Sequence, residues 1–204
     1  MITAPTIIED SYIAHGISPI AGVDEAGRGP LAGPVVACAV ILPAGLVIEG
    51  VNDSKKITEE RRDKLAVCIK TQALAYAFGI VDVAIIEEVN ILQATMLAMQ
   101  NAVECLKTAP KFVLVDGNKL PHLPCEALCI KKGDSASHLI AAASILAKVA
   151  RDNMMLELHQ KYPFYGFDRH KGYGTKAHTD AIAKHGLCPA HRVSFCKKIF
   201  GGTK

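Results

Sequence analysis

The sequence predicts an α/β fold: a mixed central sheet flanked by helices, with additional helices toward the C-terminal end. Three observations carry that prediction. Two apolar, β-branched runs stand close together near the start with a glycine-rich turn between them, and a third follows one helical segment later. Further strand-like runs then alternate with helical patterns, the order expected of an α/β domain. Finally, PVVACAVIL and KFVLVD are apolar at successive positions rather than alternate ones, so both faces of the sheet need a covering of helices. The 204 residues, half of them hydrophobic, suit one compact domain, with no linker to divide it.

Each element has its own signal. IAGVD (20–24) reads as the first strand and PVVACAVIL (34–42) as its hairpin partner. Thr58, followed by Glu59 and Glu60, marks a helix start, and that helix runs to about Lys70. ALAYAFGIV (73–81) fits a third strand. From about Ala84 to Lys107 a helical pattern sets Ile91, Thr95, Ala98 and Ala102 on one face. KFVLVD (111–116) is a short strand closing on the turn pair Asp116-Gly117, and CEALCIK (125–131) is another. An Ala-rich run from Ser135 to Gln160 predicts one long helix, and a last helix covers Lys176 to His185 before Gly186 and Pro189.

Several function classes lose support at this level. The seven cysteines are scattered and form no CxxC pair, which speaks against a zinc site and for a reducing, cytoplasmic setting. The N-terminal stretch lacks a basic region and carries Glu9 and Asp10 early, unlike a signal peptide. Residues 29–48 hold no charge, but three prolines and three glycines interrupt them, so they read as a buried strand between turns and not as a membrane span. No HExxH or GxSxG occurs. The net charge of +3 alone says little; sequestering several carboxylates around metal would leave the remainder basic enough to favour a polyanion.

Acidic residues gather at one kind of place. Asp24 and Glu25 end the first strand, Asp116 ends FVLVD, and Asp134 stands where the long helix begins, and open α/β sheets put ligand sites at such strand ends. A turn explains Asp116-Gly117 equally well, and a helix cap explains Asp134 or Ser135. Adjacent Asp24 and Glu25 are harder to explain structurally, because neighbouring carboxylates resist joint burial. Converging carboxylates without His or Cys suit Mg²⁺ or Mn²⁺ and the chemistry of phosphodiester hydrolysis. One difficulty stands: successive strand side chains point to opposite faces, so a regular strand cannot aim both acids at one ion.

Gly27-Arg28-Gly29 opens a proline and a strand rather than a helix, which disfavours a dinucleotide fingerprint. It reads as a hairpin turn, or as bare backbone that a sugar or phosphate can approach. Ser54 and Lys55, just before a helix, form a candidate phosphate grip or a solvated loop. Arg61, Arg62, Lys131 and Lys132 read as surface charge. In RHKGYGT (169–175) the glycines around Tyr173 predict an exposed ring able to stack on a sugar or base; the alternative is a tyrosine that packs a loop onto the core.

Taken together, GVDEAGRGPLAGPVVACAVIL, NDSKKIT, NILQATMLAM, FVLVDGN, GDSASHLIAAASILAKVARD, YPFYGFDRHKGYGT and CPAHRVSF resemble the type 2 ribonuclease H family (ribonuclease HII), its bacterial form above all. The likeness runs from about Ile20 to Phe195. It implies a ribonuclease H-like fold and divalent-metal cleavage of the RNA strand of RNA–DNA hybrids and 5′ of ribonucleotides in duplex DNA. By that resemblance Asp24, Glu25, Asp116 and Asp134 are the catalytic, metal-site acids for Mg²⁺ or Mn²⁺. Gly27, Arg28 and Gly29 read the 2′-hydroxyl, Tyr173 stacks on the next sugar, and Ser54, Lys55 and Lys171 contact phosphates. A monomer without a membrane partner is expected, and the tail CKKIFGGTK carries no clear sliding-clamp motif. A DNA-only nuclease of the same superfamily and a silent hybrid-binding module are the rival readings.

Overall fold

The computed structural model describes residues 2–200. In chain order the elements are α1 (Ile7–Ala14), β1 (Ile20–Ala26), β2 (Val35–Ile41), α2 (Glu59–Gln72), β3 (Ala75–Val81), α3 (Val83–Glu104), β4 (Phe112–Asp116), β5 (Glu126–Ile130), α4 (Gly133–Ala136), α5 (His138–Lys161), α6 (Phe167–His170), α7 (Lys176–His185) and α8 (Val193–Cys196). One five-stranded sheet has the order β3-β2-β1-β4-β5. Its first three strands pair antiparallel, while β4 and β5 run parallel to β1. The sheet is therefore mixed, as expected.

Two apolar layers sandwich it. Cys38, Val40, Phe112 and Leu114 face a cluster that includes Ile140, Ile145 and Leu146 of α5 and Leu65 and Ile69 of α2. Val23, Ala37, Ala39, Val113 and Val115 face Ala94, Ala98, Met99 and Ala102 of α3 on the other side. Alanines set how close the helices come, and β1 has no side chain at the closest point: a Cβ on Gly22 would lie 2.3 Å from the Leu139 carbonyl carbon. A third cluster, with Met155, Tyr165, Phe167, Ile182 and Cys196, fastens the C-terminal helices to the far end of α5.

Three departures from expectation have local causes. The predicted long helix is two: Ser137 has extended backbone (φ −136°, ψ 128°) and caps α5 by accepting from the Ile140 amide. Asp134 thus belongs to a separate single turn, α4, and not to the start of the long helix. Within α3, Asn90 (φ 70°, ψ 164°) leaves the helical region, and its Oδ1 accepts from the Leu92 and Gln93 amides, restarting the helix. Finally, α1 was not anticipated. Its Glu9 is buried and accepts from Ser137 Oγ (2.6 Å) and the Leu139 amide (2.9 Å), so one helix supplies the anionic cap of another. Among the described residues no helix is long and apolar enough to cross a membrane.

Candidate active site

The end of β4 resolves the difficulty over Asp24 and Glu25. Pairing of β1 with β2 continues to Ala26, opposite Val36, but its parallel pairing with β4 stops at Val23, opposite Val115. The strand does not break at Glu25; its last residues overhang the neighbour. Asp24 then lies on the α5 side and Glu25 on the α3 side of a sheet that ends beside them. Asp116, the last residue of β4, ends the neighbouring strand beside them. Each of the three offers an oxygen within 4.8 Å of the others.

Hydrogen bonds fix this trio. Asp24 accepts from the Glu25 amide (2.7 Å), and Asp116 accepts from the Gly133 amide (2.6 Å). Ser144 of α5 hydrogen-bonds Asp24 and lies 2.8 Å from the Ser54 hydroxyl. Burial, then the charges of Glu25 and Asp116, push the Asp24 carboxyl well above its ordinary pKa. Glu25 is raised as well, by burial first, with Arg28 opposing and Asp116 adding to the rise. Asp134 is not one of the trio. It is buried beside Asp53 and Asp116, and its pKa is raised by burial and by those two neighbours in turn. Three hard carboxylate oxygens without imidazole or thiolate could hold a divalent cation such as Mg²⁺ or Mn²⁺.

The glycine loop begins where β1 ends. Gly27 has φ 100°, and a Cβ there would stand 2.1 Å from Arg151 Nε, so no other residue fits. Arg28 reaches outward, its Nη1 3.4 Å from Glu25 Oε1. A Cβ on Gly29 would have the Tyr173 ring as its nearest neighbour, at 3.8 Å, and Tyr173 is 44% exposed. Residues 144 positions apart in sequence thus share one surface beside the acids. A groove bordered by Glu25, Arg28, Thr95, Met99, Asp116 and Asn118 opens next to it.

Of the expected phosphate contacts, only Lys55 faces this surface. Burial alone would lower its pKa, but Asp24, Asp134, Asp53 and Asp116 outweigh that and hold it above the ordinary lysine value. Ser54 is buried and turns its hydroxyl inward to Ser144. Lys171 gives its ammonium to the Asp168 carbonyl and lies 3.7 Å from Glu59. Ser54 thus does not present an exposed hydroxyl as a phosphate grip would, and Lys171 is engaged within its own loop.

Sequence reasoning overlooked a set of buried charges. Arg62, read as surface charge, is buried and donates to the carbonyls of Ser54 (2.7 Å) and Ile57 (3.3 Å), with Asp152 3.9 Å away. Lys148 pairs with the same Asp152 at 2.6 Å. Arg151 and Arg192 are wholly buried among backbone carbonyls. The signal lay in AKVARD, where Lys148, Arg151 and Asp152 interrupt an otherwise apolar helix at a spacing that shares one face.

Comparison with known proteins shows the family. The family model described as Ribonuclease HII matches residues 21–198. Ribonuclease HII of Geobacter sulfurreducens is 57% identical over 187 residues, covering 92% of this chain and 86% of that one. Among solved structures, ribonuclease H2 from Pyrococcus horikoshii superimposes with a TM-score of 0.73 at 28% identity, over 88% of this chain and 96% of its own. Ribonuclease HII of Archaeoglobus fulgidus, solved in complex with PCNA, gives 0.69 at 25% identity, over 85% and 93%. That complex lends no support to an absence of clamp recruitment, and residues 201–204 of the tail lie outside the described residues. The chain belongs to the ribonuclease HII family and is, with it, an enzyme of the ribonuclease class.

Proposed function

We propose that this enzyme cuts the RNA strand of RNA–DNA hybrids and the phosphodiester 5′ of a ribonucleotide embedded in duplex DNA, leaving 3′-hydroxyl and 5′-phosphate ends. The observation that carries the reading is the junction of two unlike surfaces. Three carboxylates within 4.8 Å of one another adjoin a glycine-rich loop that lies beside a half-exposed tyrosine. Asp24, Glu25 and Asp116, with Asp134 alongside, would hold Mg²⁺ or Mn²⁺, which supplies an activated water and neutralises charge on the departing oxygen.

The chain's own groups do the rest. Gly27 and Gly29 let a sugar approach the backbone, and Arg28 pairs with Glu25 beside them. The 2′-hydroxyl distinguishes RNA from DNA, so this loop sets specificity. The Tyr173 ring offers a stacking face to the next sugar. Lys55 supplies a cation for the phosphate that enters the acidic field. One domain acting as a monomer suffices for these contacts, and seven free cysteines suit a reducing cytoplasm.

A duplex with one ribonucleotide tests the proposal, incubated with Mg²⁺, with Mn²⁺ and with chelator, beside an all-DNA duplex and an Asp24→Asn variant. Metal-dependent cutting 5′ of the ribonucleotide, lost in the variant and absent on DNA, is expected. Cleavage of continuous hybrids alone would remove the junction-reading roles, and cleavage of all-DNA duplex would overturn the substrate class.

A further inference from the structure

Arg192 lies in the extended stretch just before α8 and is 0% exposed. Its guanidinium donates five hydrogen bonds, and all go to one loop: to the carbonyls of Gly27 (2.6 Å), Arg28 (3.0 Å), Pro30 (3.0 Å) and Gly33 (3.0 and 2.8 Å). Arg151 of α5, also buried, continues the pattern with Ala32 (3.1 Å) and Pro34 (3.0 Å) and adds the carbonyl of Lys171 (3.0 Å), two residues before Tyr173. Among the described residues neither guanidinium lies within ion-pairing distance of a carboxylate. Glu87, the nearest acid in charge terms to Arg192, instead accepts from the amide and hydroxyl of Ser194. Buried guanidiniums that are hydrogen-bonded chiefly to carbonyls, with no carboxylate in direct contact, are costly to maintain, and two of them sit under one surface loop.

Peptide geometry says what this accomplishes. In a planar trans peptide the carbonyl and the following N–H point in opposite directions. Drawing the Gly27 and Arg28 carbonyls inward onto Arg192 therefore turns the Arg28 and Gly29 amides outward. Among the described residues neither amide donates to a protein acceptor, so both stay available on the face shared with Tyr173, above two buried positive charges.

We propose that Arg192, seconded by Arg151, is a specificity-determining positioning residue: it touches no substrate, but orients the Arg28 and Gly29 amides toward a ribose hydroxyl or phosphate oxygen and locks that loop in register with Tyr173. The inference rests on the ribonucleotide-junction reading above and adds the device that presents the loop. Rate and metal binding belong to the acids at the ends of β1 and β4 and are left alone by it.

Arg192→Lys keeps the charge but loses the fork, and Arg151→Lys does the same for the second brace. For each, kcat and KM are measured on a single-ribonucleotide duplex and on a continuous RNA–DNA hybrid, with Mn²⁺ affinity by calorimetry and fold by circular dichroism. Arg192→Lys is expected to lower the preference for the single-ribonucleotide duplex by at least about tenfold, through KM more than kcat, with Mn²⁺ affinity unchanged. Arg151→Lys shifts it in the same direction by less. Equal losses on both substrates, or weakened Mn²⁺ binding, would mean a merely structural role and overturn the proposal. A wild-type enzyme that cuts neither substrate would instead overturn the underlying function. An arm without variants uses amide resonances of the wild-type protein with Ca²⁺. Shifts at Arg28 and Gly29 on adding the ribonucleotide duplex, and not the all-DNA duplex, support the presented amides; their absence refutes them.

Discussion

Two buried charge clusters lie on either side of the turn that ends β1, and they solve burial in opposite ways. On the acid side, Asp24, Glu25 and Asp116 converge without enough donors, and burial with mutual repulsion raises the pKa values of Asp24 and Glu25. On the arginine side, Arg192 and Arg151 are also buried, yet their guanidiniums donate to backbone carbonyls throughout the loop, and Arg151 to the Met155 sulfur as well. Burial lowers the Arg192 pKa to about 10, with Arg151 contributing, which leaves it cationic at neutral pH. The acid side is left in tension, a charge balance that a bound cation would complete on the function proposed above. The arginine side is finished on folding. On the function proposed above, a reacting centre needs unsatisfied charge and a recognition loop needs a rigid frame, and the two requirements would meet at Ala26 and Gly27.

The largest expected effect breaks the acid side. Asp24→Asn lowers cleavage on the order of 10³-fold or more, yet in chelator it removes repulsion and raises stability by about 1 kcal/mol, about 2–4 °C in melting temperature for a domain of this size. Added Mn²⁺ should then raise the melting temperature of the wild type and not of the variant. A variant less stable than the wild type in chelator would show that the acids are not in tension. Next comes the arginine side: Arg192→Met strands buried carbonyls and should cost about 3 kcal/mol in urea unfolding. A cost near zero would mean the loop does not depend on its brace.

The histidines behind Tyr173 sharpen the contrast. His178 is buried, with Nδ1 2.9 Å from the Tyr173 carbonyl and Nε2 3.1 Å from His191. Burial lowers its pKa from 6.5 to about 4, the Tyr173 carbonyl opposing and His170 and His191 adding to the fall. A depressed histidine binds fewer protons folded than unfolded, so its share of stability is full above pH 6.5 and is lost as pH falls toward about 4. The raised carboxylates act in the other direction, since their repulsion is relieved as they protonate. His178→Asn should therefore flatten the fall in unfolding free energy across that window; an unchanged slope would assign the acid sensitivity elsewhere. The smallest effect is on stability in Tyr173→Ala, within about 0.5 kcal/mol for a half-exposed ring, with the substrate preference eroded nonetheless. A large loss of stability would favour the packing role for this tyrosine.

Much of this was legible in the chain because it is local. Apolar runs and Ala-rich periodicity located five strands and the principal helices within a few residues, and the GRG turn and the half-exposed Tyr173 followed from glycine alone. The misses are non-local or turn on one residue. Ser137 and Asn90 divide helices through side-chain caps that compete with ordinary helical pairing. Arg62 looks like any charged helix residue until the 54–57 turn folds over it. Ser54 looked exposed because nothing in its own segment announces Ser144, ninety residues away.

By itself, then, the sequence determined the layers and the chemical types at the strand ends, since periodicity and turn chemistry act over a few bonds. Only the tertiary structure decided how Asp24 and Glu25 come to share one cluster with Asp116. That outcome depends on β4 pairing with β1 as far as Val23 and no further, so that acids on opposite faces meet beyond the sheet's edge. It alone likewise decided that Arg192 frames a loop some 160 residues earlier, because a guanidinium acquires its role from whichever carbonyls the packed core brings within its reach.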